Sequence, residues 1–220
     1  MFDLLQSLRD PDGGQHMLRR FREMLADGRH AFDSSVTVIL SGGDPAAVRD
    51  EVFKTDQRIN RNEQALRREL IVHASVHGAT AFPTSLLLMS LVKDAERIGD
   101  YAKNILDLAR HDGALDPEEQ GQVSGMAAKA SQMLGQAALL FDSQDKVAAA
   151  TFLQEEHALR HQCEDAIDKW VDATDKNHAA ACLLVRFIKR VAGHAGNVVS
   201  SVVMPLDKLD FHPGGGGDED

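Results

Sequence analysis

Apolar side chains recur at three- and four-residue steps along most of the chain, which is the signature of helices that bury one face. Met17, Phe21, Met24, Leu25, Phe32, Val36, Ile39 and Leu40 define the first stripe. Ser41-Gly-Gly-Asp-Pro45 ends it and opens the next, with Asp44 as N-cap and Pro45 at the first helical position. The second stripe runs through Val48, Val52, Ile59, Leu66 and Leu70 to His77-Gly78, and a third from near Pro83 to Arg110. Asp116-Pro-Glu-Glu119 then combines an N-cap, a proline and two carboxylates at the positive end of a helix dipole. That fourth helix carries Met126, Met133, Leu134, Ala137 and Phe141, and Asp142-Ser-Gln-Asp145 turns into a fifth reaching about Lys176. The sixth spans Ala179 to Met204 and is stopped by Pro205. The strongest β-branched run, Val36-Thr-Val-Ile39, lies inside the first helical pattern, so no strand is expected.

Six helices in two groups of three, joined by short turns, predict an all-α fold of two antiparallel three-helix bundles. The halves read as a diverged duplication. Residues 44–56 align with 144–156 at an offset of 100, whereas 96–104 align with 189–197 at an offset of 93. The second half is therefore expected to be seven residues shorter at its hairpin tip. The implied domains are 1–112 and 113–206, followed by a Gly-rich acidic tail at 207–220 that is excluded from the fold.

The charge narrows the function classes. Lys plus Arg number 24 against 34 Asp plus Glu, a formal charge of −10, which disfavours nucleic acid and anionic membrane surfaces. Leu86 to Val92, the most apolar stretch, is too short to span a bilayer, and no targeting segment is visible. Cys163 and Cys182 form no CxxC pair and read as reduced, packed thiols, which suits a cytoplasmic protein. No phosphate-binding loop, nucleophile elbow or dinucleotide turn is present, so nucleophilic or redox catalysis has no visible basis.

The candidate chemistry is acidic. Glu96 and Asp100 stand four residues apart on one helix face, and Asp56 and Asn60 do so one helix earlier, with Glu63 beyond. Across an antiparallel hairpin, Asp56, Asn60, Glu96 and Asp100 would form an oxygen-rich group suited to a divalent or trivalent metal. The plain alternative is a solvated acidic face, or acids paired with Arg97 and Lys103. In the second half Arg160, Lys189 and Gly193 stand where oxygen donors should, so one metal site is expected and not two. There Lys189 and Arg160 are expected to pair with Glu156; a different register would offer Glu164 and Asp168. The pairs His157/His161 (with Cys163 after them) and His73/His77 have chelating spacing but no clear third ligand, and surface histidines are the simpler reading.

Asp94-Ala-Glu-Arg-Ile-Gly-Asp-Tyr-Ala-Lys-Asn104 resembles the DLERIGDHAxNI signature of the PhoU family, with Ala95 and Tyr101 as departures. Asp56-Gln-Arg-Ile-Asn60-Arg-Asn-Glu63 is similar to the family's DxxIDxxE pattern. The resemblance implies two pseudo-repeated three-helix bundles, with iron or zinc held by such motifs. It implies a non-enzymatic regulator of phosphate uptake and signalling that contacts a membrane phosphate transporter and a sensor histidine kinase. A homodimer stays open. The alternatives are a metal-free helical interaction module serving another transporter, and a carboxylate-bridged metalloenzyme.

Overall fold

The structure, a computed structural model, describes residues 14–111, 115–205 and 208. The expected domain boundary at 112/113 and all of the expected tail except Lys208 lie outside the described residues. The described residues form six long helices and no strand. These are α1 (Gln15–Ser41), α2 (Ala46–His77), α3 (Phe82–Leu108), α4 (Pro117–Ser143), α5 (Lys146–Val171) and α6 (Ala179–Val203), with a short 3₁₀ turn at Gly78–Thr80. None is long and apolar enough to cross a membrane.

The helix ends follow local chemistry. Gly42 takes the left-handed conformation at φ 64° and its N–H bonds Val38 O, closing α1 without the penalty a Cβ would bring. The Asp44 carboxylate accepts from Ala46 N at 2.9 Å and starts α2. Asp116 and Glu119 form the reciprocal capping box at the head of α4. Glu119 does more than cap. Its second oxygen lies 2.7 Å from His178 Nδ1, and the His178 ring stacks on Trp170. This contact explains a difference from the sequence reading: α5 ends at Val171 and not near Lys176. Residues 172–178 leave the helix and carry His178 back to Glu119.

Helices α1–α3 pack mutually, as do α4–α6, and the groups meet through α3 against α6 and α1 against α4. Burial repeats between them. In α2 and α5, Val52, Ile59, Leu66 and Leu70 match Phe152, Leu159, Ala166 and Trp170 at an offset of 100, every one buried. In α3 and α6, Leu91, Ala95, Ile98, Ala102 and Ile105 match Leu184, Ile188, Val191, Ala195 and Val198 at 93, again all buried. In α1 and α4, Phe21, Met24, Phe32 and Ile39 match Val123, Met126, Leu134 and Phe141 at 102. The halves share one packing plan and one continuous apolar core.

Candidate functional site

Gly99 sets the spacing of the acidic face between α2 and α3. A Cβ there would stand 2.9 Å from Ile59 Cδ1 and 3.7 Å from Asp56 Oδ1, so glycine lets the helices close. Rising numbers on α2 then meet falling numbers on α3, as an antiparallel hairpin requires. Asp56 faces Lys103, and Glu63 faces the level of Lys93 and Glu96.

The structure brings Asp56, Asn60 and Asp100 together. Lys103 Nζ lies 2.9 Å from Asp56 Oδ1 and 3.0 Å from Asp100 Oδ1, and Asn60 Nδ2 donates to Asp56 Oδ2 at 3.3 Å. Burial works against the Lys103 charge, but hydrogen bonds and attraction from both carboxylates outweigh it and hold its pKa above the usual lysine value. Glu96, the fourth expected donor, engages a different cation. Its Oε2 is 2.7 Å from Lys93 Nζ, and Glu63 is held by Arg67 at 3.0 Å. Burial pushes the Glu96 carboxyl up from its ordinary value against the pull of Lys93, and Asp100 adds repulsion. Of the two cations named in the plain alternative, Lys103 pairs with the acids. Lys93, three residues before Glu96, takes the place given to Arg97, because adjacent residues point about 100° apart on a helix.

The donors are carboxylate and amide oxygens, a set that hard or borderline cations accept. The point where Asp56 and Asp100 converge is held by an ammonium. Among the described residues, no three His, Cys, Asp or Glu side chains gather tightly enough to cage a metal by themselves. Iron or zinc on this face would have to displace Lys103.

The equivalent face of the second bundle is built differently. Glu156, the counterpart of Asp56, is fully buried and meets Gly196, the counterpart of Lys103, where a Cβ would lie 3.1 Å from Glu156 Cδ. Arg160 Nε approaches Glu156 Oε1 at 3.7 Å. Burial raises the Glu156 carboxyl to about 7 despite Arg160 and Lys189. Lys189 was expected beside Glu156; its Nζ instead lies 2.5 Å from Glu164 Oε1. At the offsets of 100 and 93, Glu63 and Glu96 correspond to Cys163 and Lys189, so this level of the second bundle has a cation and no facing acid, and Lys189 turns to Glu164 one residue on.

Sequence reasoning missed the junction between bundles. Asp94, inside the signature segment, is buried, and its Oδ1 accepts from Asn197 Nδ2 at 2.8 Å and lies 2.8 Å from His194 Nδ1. Tyr101 stacks on His194 and also meets Phe187. At the offset of 93, Asp94 corresponds to Phe187 and Tyr101 to His194. The contacts Asp94–His194 and Phe187–Tyr101 are therefore equivalents across a pseudo-two-fold axis that passes by the Tyr101–His194 stack. The i, i+3 pair His194/Asn197 was the available signal, but its partner lies about 100 residues away.

Comparison with known proteins follows the same division. Residues 21–109 match the family model described as the PhoU domain, which spans the first bundle. The phosphate-specific transport system accessory protein PhoU homolog of Synechocystis is 24% identical over 168 residues, covering 69% of this chain and 71% of that protein. The crystal structure of the phosphate transport system regulatory protein PhoU from Streptococcus pneumoniae superposes with a TM-score of 0.74 at 15% identity, covering 90% of this chain and 94% of that one. The resemblance to the PhoU family read from residues 56–63 and 94–104 holds, and the fold is the PhoU fold.

Proposed function

We propose that this chain is a non-enzymatic regulator of phosphate uptake and phosphate-responsive signalling. It works in the cytoplasm, at the inner face of the membrane, by contact with a membrane phosphate transporter, a sensor histidine kinase or both. The observation that carries the reading is the PhoU-domain match on residues 21–109 within a PhoU fold that extends over 90% of the chain. Exposed Ile71, Val72, Val76, Phe82 and Leu86 at the outer end of the α2–α3 hairpin support action by protein contact. Capture from the native membrane fraction under phosphate-rich and phosphate-poor growth tests the reading. It should recover a phosphate transporter component or its kinase, and recovery of neither in both conditions overturns it.

The metal expectation belongs with this proposal. Asp56, Asn60, Glu96 and Asp100 would hold iron or zinc, which would cross-link α2 to α3 and neutralise their acids. A second, metal-free reading is favoured by Lys103, whose ammonium already does this for Asp56 and Asp100. Metal analysis of protein purified without added ions separates them. Stoichiometric iron or zinc, lost in an Asp56→Ala, Asp100→Ala variant, supports the metal reading. Metal-free protein that stays folded supports the second.

A further inference from the structure

A different face of the molecule carries two imidazoles already arranged as a chelate. His157 and His161 sit mid-way along α5, both exposed, with Nε2 atoms 3.3 Å apart. Two nitrogens about 2.0–2.1 Å from a tetrahedral zinc ion lie about 3.3–3.4 Å from one another, so the pair has the bite a tetrahedral ion requires. The rings stand edge to face with centroids 4.3 Å apart, and the two Nε2 atoms share one hydrogen bond that an ion between them would replace.

The surroundings add what a bare pair lacks. His161 Nδ1 lies 3.2 Å from Glu164 Oε2. A carboxylate beside the far ring nitrogen favours the proton on Nδ1 and so leaves the Nε2 lone pair, now in contact with His157, to an ion. Glu164 is itself held, since its other oxygen lies 2.5 Å from Lys189 Nζ on α6. The chain of contacts runs Lys189, Glu164, His161 and then His157. The opposite face of α5 is fixed in the core by Phe152, Leu159, Cys163 and Ala166, so the two histidines ride on a rigid frame. Cys163 belongs to that core; burial pushes its thiol up to about 12 and removes it as a ligand.

We propose that His157 and His161 form a surface site for one borderline divalent transition ion, such as zinc, nickel or copper, positioned through Glu164. Two protein nitrogens leave the remaining coordination positions to water or to an incoming ligand, so the ion exchanges readily and can accept a group from outside the chain. Affinity follows the order zinc below copper for such nitrogen sites and falls on acidification, because only neutral imidazole ligates. This site is independent of the acidic face between α2 and α3.

The test is calorimetric titration of the full chain, stripped with chelator, using zinc or nickel chloride alone, together with the visible spectrum of the cobalt(II) form. One equivalent should bind and disappear in His157→Asn, His161→Asn, while thermal melting without metal stays unchanged. Asp56→Ala, Asp100→Ala should leave that equivalent in place. Glu164→Gln should keep the stoichiometry and weaken binding by about 10-fold or more. An unchanged isotherm in the double histidine variant overturns the site; unchanged affinity in Glu164→Gln overturns the positioning role.

Discussion

The α2–α3 and α5–α6 hairpins place residues at the same levels and fill them with different charges. In the first, Asp56 meets Lys103 and Glu63 lies opposite Glu96; in the second, Glu156 meets Gly196, and Cys163 and Lys189 stand at the other level, with Lys189 pairing to the neighbouring Glu164. The apolar positions between these levels, Ile59 against Leu159 and Ile98 against Val191, stay buried in both. A duplicated helix pair is thus held to its packing plan by burial, which every buried side chain contributes to. The polar rows are bound only by the need to neutralise whatever charge is there, and they have separated. The first bundle shares Lys103 between Asp56 and Asp100, while in the second Glu156 meets Arg160 and Glu164 meets Lys189, each separately.

The shared packing plan makes the largest prediction. Ile59→Ala and Leu159→Ala each remove a buried side chain at equivalent levels and should destabilise by about 2–5 kcal/mol, read from denaturant unfolding. Similar losses support the equivalence, and a large loss on one side only would break it.

The charge rows should respond unequally. The folded protein keeps the Glu156 proton up to about 7, whereas the unfolded chain releases it near 4.5, so the folded state binds more protons between those values. Stability therefore falls as pH rises through that window, by about 3 kcal/mol in total. Glu156→Gln should melt higher above pH 7 and lose that part of the slope. Asp56, which has a lysine at the level where Glu156 has a glycine, gives the matched control. Asp56→Asn should destabilise, because it leaves Lys103 with one carboxylate.

Lysine deletions are the smallest comparison. Lys103→Met leaves the buried Asp56 carboxylate without its ammonium and should cost about 1–3 kcal/mol. Lys189→Met releases Glu164, whose side chain is 38% exposed, and should cost below about 1 kcal/mol in thermal melts. Equal costs would mean that the two rows are not as different as their burial says.

Much of the fold is legible in the sequence. The helix order, the Asp116 cap and the Asp44 carboxylate at the head of α2, where the helix begins at Ala46 and not at Pro45, follow from local rules of spacing and capping. The grouping of Asp56, Asn60 and Asp100 was legible because antiparallel geometry fixes which levels face one another. What periodicity does not encode is the choice of counter-ion, since Lys93, Arg97 and Lys103 all lie within reach by sequence. The His178–Glu119 and Asp94–His194 contacts were hidden for a related reason. Each depends on how separate helices dock, 59 and 100 residues apart in the chain.

The junction at Tyr101 and His194 also tells each half which partner to choose. Two copies of the first bundle, brought together in the same way, would set Asp94 against Tyr101 of the other copy, and its buried carboxylate would lose the imidazole it has in His194. Two copies of the second would set Phe187 against His194 with no carboxylate for the ring. Only the mixed pairing satisfies both sides. Halves of one fold thus recognise their unlike sibling, which disfavours pairing of either bundle with a copy of itself through this face.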